Sequence, residues 1–456
     1  MKKKKTLDKP QLFKGFGLGI AGMLIGISLF STGMKVTENS ISRKAETPSP
    51  LLKPDADNGG IKLAKGFGAL TVADSVGKAR HLAVAPNGDV LVKLSKLQQN
   101  GGIALLKDTN KDGKADKTTY FGNYAGTGLE ISNGYLYASS DSSVYRYKLG
   151  ADGSVAADAK PETIVTGLEF YREHGSKSLA LDDKGKLYVN FGAPSNACQE
   201  KNRVTGSKGM DPCPILEWHA GIWQFDAAKP NQTQKDGIRY ATGTRNIVGL
   251  TWNKQANELY AMQHGRDDLA RLFPELYTTQ QSAELPGEEF LLIKKGSDFG
   301  WPYCYYDWQQ KKKVLGPEYG GDGGKQIGRC EDKVKPIMAF PGHWAPNDVL
   351  FYTGNQFPAK YKNGAFICFH GSWNRAPLKQ GGYFVAFVPF KDGKPAGDYE
   401  VFAEGFAGGA DIMNPADAQH RPMGLAQGAD GSLYISDSVK GKIWRVMHNG
   451  GKEKKG

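Results

Sequence analysis

Cysteine is scarce: five residues in 456, none of them in a C-x-x-C pair. Zinc knuckles and covalent c-type haem both need that close spacing, so neither is expected. No G-x-G-x-x-G run opens a helix after a strand, so nicotinamide use is not expected either. Long apolar runs of helical period are also missing. With 39% apolar residues, 59 Gly and 23 Pro, the chain reads as globular and turn-rich rather than as a helical bundle. The formal charge of +12 lacks the form of a nucleic-acid footprint. Residues 1–17 hold six Lys against one Asp, and 452–456 hold three Lys against one Glu, leaving a body of about +5 with no basic stripe between aromatics. Nucleic acid is therefore not an expected partner. A modest excess of that size suits an anionic cofactor or substrate.

The amino-terminal residues carry a compartment signal. Residues 2–5 are four lysines, and 16–30 (FGLGIAGMLIGISLF) are uncharged and apolar. This is the n-region and h-region pattern of export. At 15 residues the run is shorter than the ~20 that span a bilayer comfortably. No A-x-A site and no lipoprotein-type cysteine follow it, which leaves two readings of residues 1–34: a cleaved signal peptide, or a membrane anchor through 16–33. Either places the body in the periplasm. Residues 35–62, ending TPSPLLKPDADNGG, read as a flexible linker, 63–448 as the folded body, and 449–456 as a basic tail. Outside the cytoplasm disulfides persist. Proximity in sequence pairs Cys198 with Cys213 and Cys304 with Cys330, leaving Cys368 inside an apolar strand.

A hairpin recurs along the body. HLAVAPNGDVLVKL (81–94) alternates apolar residues on either side of an Asn-Gly turn. Related units follow at 129–139, 179–192, 250–262, 361–369 and 425–437. Six such hairpins predict an all-β, six-bladed β-propeller with long inter-strand loops over a central cleft. The excess length at 193–221, 265–345 and 375–424 is read as those loops, and loops of that size in a compact fold are usually functional. A strand near 66–74 is expected to complete the last blade and close the ring.

Residues 108–116 read DTNKDGKAD, with Asp108, Asn110, Asp112 and Asp116 at positions one, three, five and nine, and Gly113 at the sharp turn. Calcium takes six to eight oxygen ligands, and alternate residues of a tight loop can aim theirs inward. Position twelve is Thr119 rather than a bidentate Glu. A hairpin closed by Asx turns would need no metal.

Segments rich in His, Arg, Asn and Trp flank the predicted strands: 169–178 (EFYREHGSKS), 243–249 (GTRNIVG), 263–268 (QHGRDD), 300–302 (GWP), 342–346 (GHWAP), 370–375 (HGSWNR) and 420–424 (HRPMG). They carry five of the eight histidines. Opening on one face of a propeller, they would wall a cationic, aromatic pocket. Taken singly, a loop histidine is more often a packing residue.

The ordered set EHGSKSLALDDKGKLYV, GTRNIVGLTW, GSDFGWP, FHGSWNR and RPMGLAQGADGSLYISD resembles the glucose/sorbosone dehydrogenase family over about residues 65–447, with HGSWNR and QHGRDD nearest the L-sorbosone dehydrogenase branch. The resemblance implies a periplasmic propeller dehydrogenase that uses pyrroloquinoline quinone (PQQ) and calcium to oxidise a sugar, sugar aldehyde or polyol. Electrons would pass to an external quinone or cytochrome. It implies His174 as general base, and Arg245 beside Asn246 as stabiliser of charge on the quinone oxygen. Arg245, Arg375, Arg421, Trp373 and Asn374 would hold the tricarboxylate ring, since guanidinium forks suit carboxylates. Backbone carbonyls of Gly265 and Arg266 would bind the calcium on the quinone, with Asp267 or Asp268 as a substitute ligand. His264, Asp267, His343 and His370 are candidates for substrate contact. Two alternatives stay open: a calcium-dependent propeller lactonase, and a binding propeller without catalysis.

Overall fold

The computed structural model describes residues 52–450 except Ala157 and Ala410. The export segment, its anchor alternative, the linker up to residue 51 and residues 451–456 lie outside the described residues. The described chain folds as six antiparallel blades in a ring. Each expected hairpin supplies the two inner strands of one blade: Ala79–Val84 with Val90–Gln98, Leu129–Ser132 with Tyr135–Ser139, Leu179–Leu181 with Lys186–Phe191, Ile247–Asn253 with Glu258–Gln263, Pro346–Phe351 with Ala365–Phe369, and Pro422–Gln427 with Leu433–Asp437. These define blades 1 to 6.

Strands that alternate on both faces must bury both, and the apolar clusters accordingly sit between neighbouring blades. Blades 5 and 6, for example, share Phe67, Tyr361, Phe366, Phe402, Ile435 and Trp444. Phe67–Ala73 pairs antiparallel with Ile443–His448, so an amino-terminal strand completes blade 6 and the ring has no open seam there. This is the closure expected near residues 66–74.

Two expectations are corrected. The linker does not extend to residue 62: the Asp55 carboxylate accepts the Thr71 amide at 2.7 Å, Asn58 Oδ1 accepts the Ala69 amide at 3.0 Å, Ile61 is buried, and Lys62–Leu63 adds an edge to blade 5. The polar DADNGG run looks like a tether, yet its side chains satisfy backbone amides of the closing strand. The spans 265–345 and 375–424 are likewise not loop throughout. They hold outer strands of blade 4 (Glu288–Ile293, Met338–Phe340) and blade 5 (Phe384–Val388, Glu400–Glu404). Both expected disulfides form, Cys198–Cys213 and Cys304–Cys330, and Cys368 is free and buried.

Candidate cofactor site

A cavity of about 450 Å³ opens where the innermost strands begin and the second strands end. Every blade contributes to it: Arg80 from blade 1, Asp141 from the turn between the second and third strands of blade 2, 170–172 and 174–176 before blade 3, Asn246, Val248 and His264 from blade 4, Ala345, Asn347 and 370–374 from blade 5, and Arg421 before blade 6. Of the residues expected from sequence, His174, Asn246, His264, His370, Trp373, Asn374 and Arg421 line it. Phe170 and Trp373 are each 69% exposed and form aromatic rims.

His174 sits at φ 55°, a left-handed conformation uncommon for a residue with a Cβ. Gly192 makes room for that loop, because a Cβ there would stand 2.5 Å from the His174 carbonyl. Nδ1 of His174 lies 2.6 Å from the Ala193 carbonyl. A carbonyl only accepts, so this bond assigns the proton to Nδ1 and leaves Nε2 as an unprotonated acceptor. Burial, with the nearby Arg245 charge second, lowers the pKa to about 3, so the ring is neutral near pH 7. The other cavity histidines have both nitrogens engaged. His264 faces Pro346 O at 3.0 Å and Asn246 Nδ2 at 3.4 Å, and His370 faces Ser438 Oγ at 2.7 Å and Gly371 O at 3.2 Å.

The remaining expected residues are placed elsewhere, and the reasons are electrostatic. Arg245 is turned away from the cavity into a buried network: it donates to Gly265 O at 2.7 Å, Asn196 Oδ1 at 3.0 Å and Asp267 Oδ2 at 2.7 Å. Asp267 is claimed a second time by Arg203 at 2.9 Å, and Asn374 bonds its other oxygen at 2.7 Å. Although burial alone would raise its pKa, the Arg245 charge and its neighbours hold this carboxyl below the usual range. Arg266 is buried against Glu318 at 2.5 Å. Arg375 bonds Glu284 at 2.5 Å and the carbonyls of Ala283 and Gly342, stapling the 370–375 loop to the helix Thr279–Glu284. His343 is buried with Nε2 on Ser282 O at 2.9 Å. Arg245, Gly265, Arg266, Asp267, His343 and Arg375 therefore do not line the cavity.

Neither calcium shell expected from sequence is gathered. Among the described residues no group of three or more His, Cys, Asp or Glu side chains converges to hold an ion. In 108–116, Asp108 accepts the amides of Asp112 and Gly113, Asn110 accepts the Asp112 amide, and Asp116 accepts from Thr109. These are self-closing Asx turns. At Gly265 the carbonyl is taken by Arg245.

Sequence reading passed over Arg80, Asp141 and Asn347 as lining residues, whereas Phe170, Tyr171, Arg172 and Ser176 lie in the 169–178 segment expected to wall the pocket but were given no role of their own. Arg80 was hidden because it begins an inner strand that reads as core, HLAVAP, and carries no motif of its own. For PQQ the lining fits on observations of this structure. Among the described residues Arg80 and Arg421 face the cavity and form no ion pair with a carboxylate, while the buried Oδ1 atoms of Asn246 and Asn347 have no hydrogen-bond partner and, as acceptors, suit an N–H or O–H of a ligand rather than its carboxylates.

A six-bladed propeller whose axial cavity gathers guanidiniums, imidazoles and rim aromatics defines an all-β class with a cationic, aromatic-rimmed axial site. Within that class the chain belongs to the TrAA12-like family, whose model matches residues 61–449. A pyrroloquinoline quinone-dependent sugar dehydrogenase of Hypocrea jecorina is 23% identical over 78% of this chain and 81% of its own length. A pyrroloquinoline quinone-dependent pyranose dehydrogenase of Coprinopsis cinerea is 23% identical over 86% of this chain, which spans only 55% of that relative. An uncharacterized protein of Borreliella burgdorferi is 30% identical over 60% of this chain and 61% of its own length. Among solved structures, the Trichoderma reesei member of carbohydrate-active enzyme family AA12 superposes with TM-score 0.68 at 21% identity, covering 85% of this chain and 98% of that one. The holo PQQ domain of the Coprinopsis cinerea pyranose dehydrogenase superposes with TM-score 0.66 at 19% identity, covering 87% and 99%. At these identities the superpositions speak to the fold.

Proposed function

We propose that the chain is a PQQ-dependent dehydrogenase that oxidises a sugar, a sugar aldehyde of the sorbosone type or a related alcohol, with His174 as general base. The observation that carries this reading is that His174 alone among the cavity histidines keeps a nitrogen, Nε2, without a protein partner, while its Nδ1 proton is fixed by Ala193. A base needs that arrangement: a set tautomer, and an unprotonated acceptor facing the ligand space. PQQ, when bound, supplies an electron-poor quinone carbon that accepts hydride. The chain's own role is threefold. Nε2 takes the hydroxyl proton of the substrate. Arg80, Arg421, Asn246 and Asn374 offer donors to carboxylates and quinone oxygens. Phe170 and Trp373 offer flat apolar faces at the mouth against which a pyranose ring can rest. Arg245 acts from behind: buried, it anchors Gly265 and Asp267 and so fixes the loop that follows the second strand of blade 4.

The carboxylates of 108–116 and the Gly265 carbonyl are engaged by amides and a guanidinium, so as they stand these residues do not fit a calcium shell. A propeller lactonase is less well supported, since its ion would need three or more converging ligands at the cavity. The two disulfides and the basic-apolar start support a location outside the cytoplasm.

The test is reconstitution. Apoprotein is titrated with PQQ, with and without calcium, and dye reduction is followed with a panel of aldoses, sugar aldehydes and polyols. Turnover is expected on PQQ addition. H174A is expected to bind PQQ as the parent does and to lose turnover by about two orders of magnitude or more, the usual contribution of a positioned base. An H174A protein with unchanged turnover overturns the base assignment.

A further inference from the structure

We propose that Lys177 is a positioning residue for His174, a buried ammonium that clamps the two flanks of the loop carrying the base. This role rests on the reading of His174 as general base, and neither the sequence motifs nor the family likeness gives Lys177 a part in the site.

Lys177 follows His174 closely and leads into the innermost strand of blade 3, Leu179–Leu181. Its side chain is fully buried and does not line the cavity. The ammonium reaches back along its own chain. Nζ donates to the Gly175 carbonyl at 2.8 Å and to the Tyr171 hydroxyl at 3.4 Å, and lies 4.6 Å from the centre of the Tyr171 ring. One tie therefore falls before His174 and the other just after it. Tyr171 passes the restraint on: its hydroxyl donates to the Gly192 carbonyl at 2.8 Å, next to the Ala193 carbonyl that fixes His174 Nδ1. Gly175 lets the loop close this tightly, since a Cβ there would stand 2.5 Å from the Tyr171 carbonyl.

His174 needs such a clamp. At φ 55° its backbone holds a conformation that the surroundings must impose, and its ring is tied only through Nδ1 to Ala193. A base works within hydrogen-bond reach of the proton it takes, so a small drift of this loop is felt in turnover. An apolar side chain of similar length would fill the same space without the cost of desolvating a charge. Among the described residues Lys177 pairs with no carboxylate, whereas the buried Lys313 has Glu289 at 2.7 Å. Its charge is spent on a carbonyl and an aromatic face. Lys93 is held in the same way, by the carbonyls of Gly102 and Tyr124 and the Tyr124 ring, but it ties segments off the cavity. What distinguishes Lys177 is what it ties. The titratable groups around it are Tyr171 and Glu169 on its own loop, Asp141 from blade 2, and His219 ahead of the third strand of blade 3. Burial lowers its pKa to about 8, against the pull of Asp141 and Glu169. The ammonium is thus charged below about pH 8 and neutral above it, and the clamp loosens on the alkaline side.

The test is a double-mutant cycle on PQQ-reconstituted protein: the parent, H174A, K177M and H174A/K177M, with K177R added and a thermal melt of each. K177M is expected to lower kcat about 10- to 100-fold, the scale of a misplaced group, while PQQ affinity stays within about threefold of the parent's. In the H174A background the same substitution should cost less than about twofold, because a residue that acts through His174 has nothing left to position. A lysine that serves the fold alone would cost the same factor in both backgrounds, and that result overturns the assignment. So does a K177M protein with the parent's kcat. The parent's kcat should also fall as pH rises through about 8. K177R keeps a charged donor, so it should recover part of the K177M loss and hold its kcat to about pH 10. A K177R profile that still falls near pH 8 gives that limb to another group and overturns the assignment. If the parent shows no turnover with PQQ, or H174A turns over as the parent does, the underlying reading fails and takes this one with it. Should K177M not fold, the K177R profile decides.

Discussion

At the scale of single residues, what the sequence could convey was the identity of groups, and what it could not convey was their partners. His174, His264, His370, Asn246 and Arg421 were legible because each stands beside a hairpin strand, and hairpin period fixes which end of the blade it occupies. Arg375 was misplaced because the carboxylate that captures it, Glu284, lies 91 residues away in sequence on a short helix. Arg245 was drawn inward by Asp267 for the same reason. A guanidinium's position is decided by the nearest acid, and spacing alone does not name it. A half-buried carboxyl gives a pH signature. Glu130 faces a second axial cavity of about 230 Å³, lined by the innermost strands, where burial raises its pKa to about 8. Its folded pKa exceeds the unfolded value of about 4.5, so the folded state holds the proton more tightly. The stability this brings is fully present below pH 4.5 and is lost as pH rises through about 8. E130Q keeps the group neutral throughout. Its melting temperature should therefore fall less than the parent's between pH 5 and 8, and parallel melting curves would contradict this.

At the scale of elements, the inner hairpins were readable because a tight turn and strict alternation are local properties. Outer strands of blades 4 and 5 were not, since insertions separate them from their hairpins and their pairing is set by the ring rather than by a turn. The closing strand was readable, but the residues leading into it were not. Their acids and Asn58 look solvent-facing in sequence and act as caps on backbone amides in the fold. The ring seam depends on Phe67, whose ring meets Phe357, Tyr361 and Phe402 edge-on at 4.7–5.3 Å between centroids. Phe67→Ala should destabilise by about 3–5 kcal/mol in chemical denaturation, the usual cost of such a cavity, while leaving PQQ affinity unchanged because the cluster lies away from the cavity. A loss under about 1 kcal/mol would mean the aromatic cluster closes over the gap.

At the scale of the whole molecule, the propeller explains why so many distant segments meet. Each blade presents one end of its inner hairpin to the axis, so segments far apart in sequence reach one cavity, those between Val165 and Leu179 and between Phe369 and Phe384 as long loops. Family membership and architecture agree on this plan. Ring closure makes the plan cooperative: every inter-blade cluster has two neighbours. A chain started at residue 74, lacking both Lys62–Leu63 and Phe67–Ala73, exposes the Ile443–His448 edge and its apolar cluster. It should associate on a sizing column and lose its single sharp melt. A monomeric truncation with the parent's melting temperature would show that the seam is dispensable.

The same seam governs how the molecule would answer force. Phe67 opposes His448 at one end of the ladder, so tension applied through the two flanking segments, once the ties of Asp55, Asn58 and Lys62–Leu63 have given way, loads a single rung. The rungs would then give way in succession, as a zip opens, rather than resist together as they do when strands are sheared lengthwise. A ring held together by shared interfaces would on this account yield softly to pulling, the blade 6 seam parting after the short edge on blade 5.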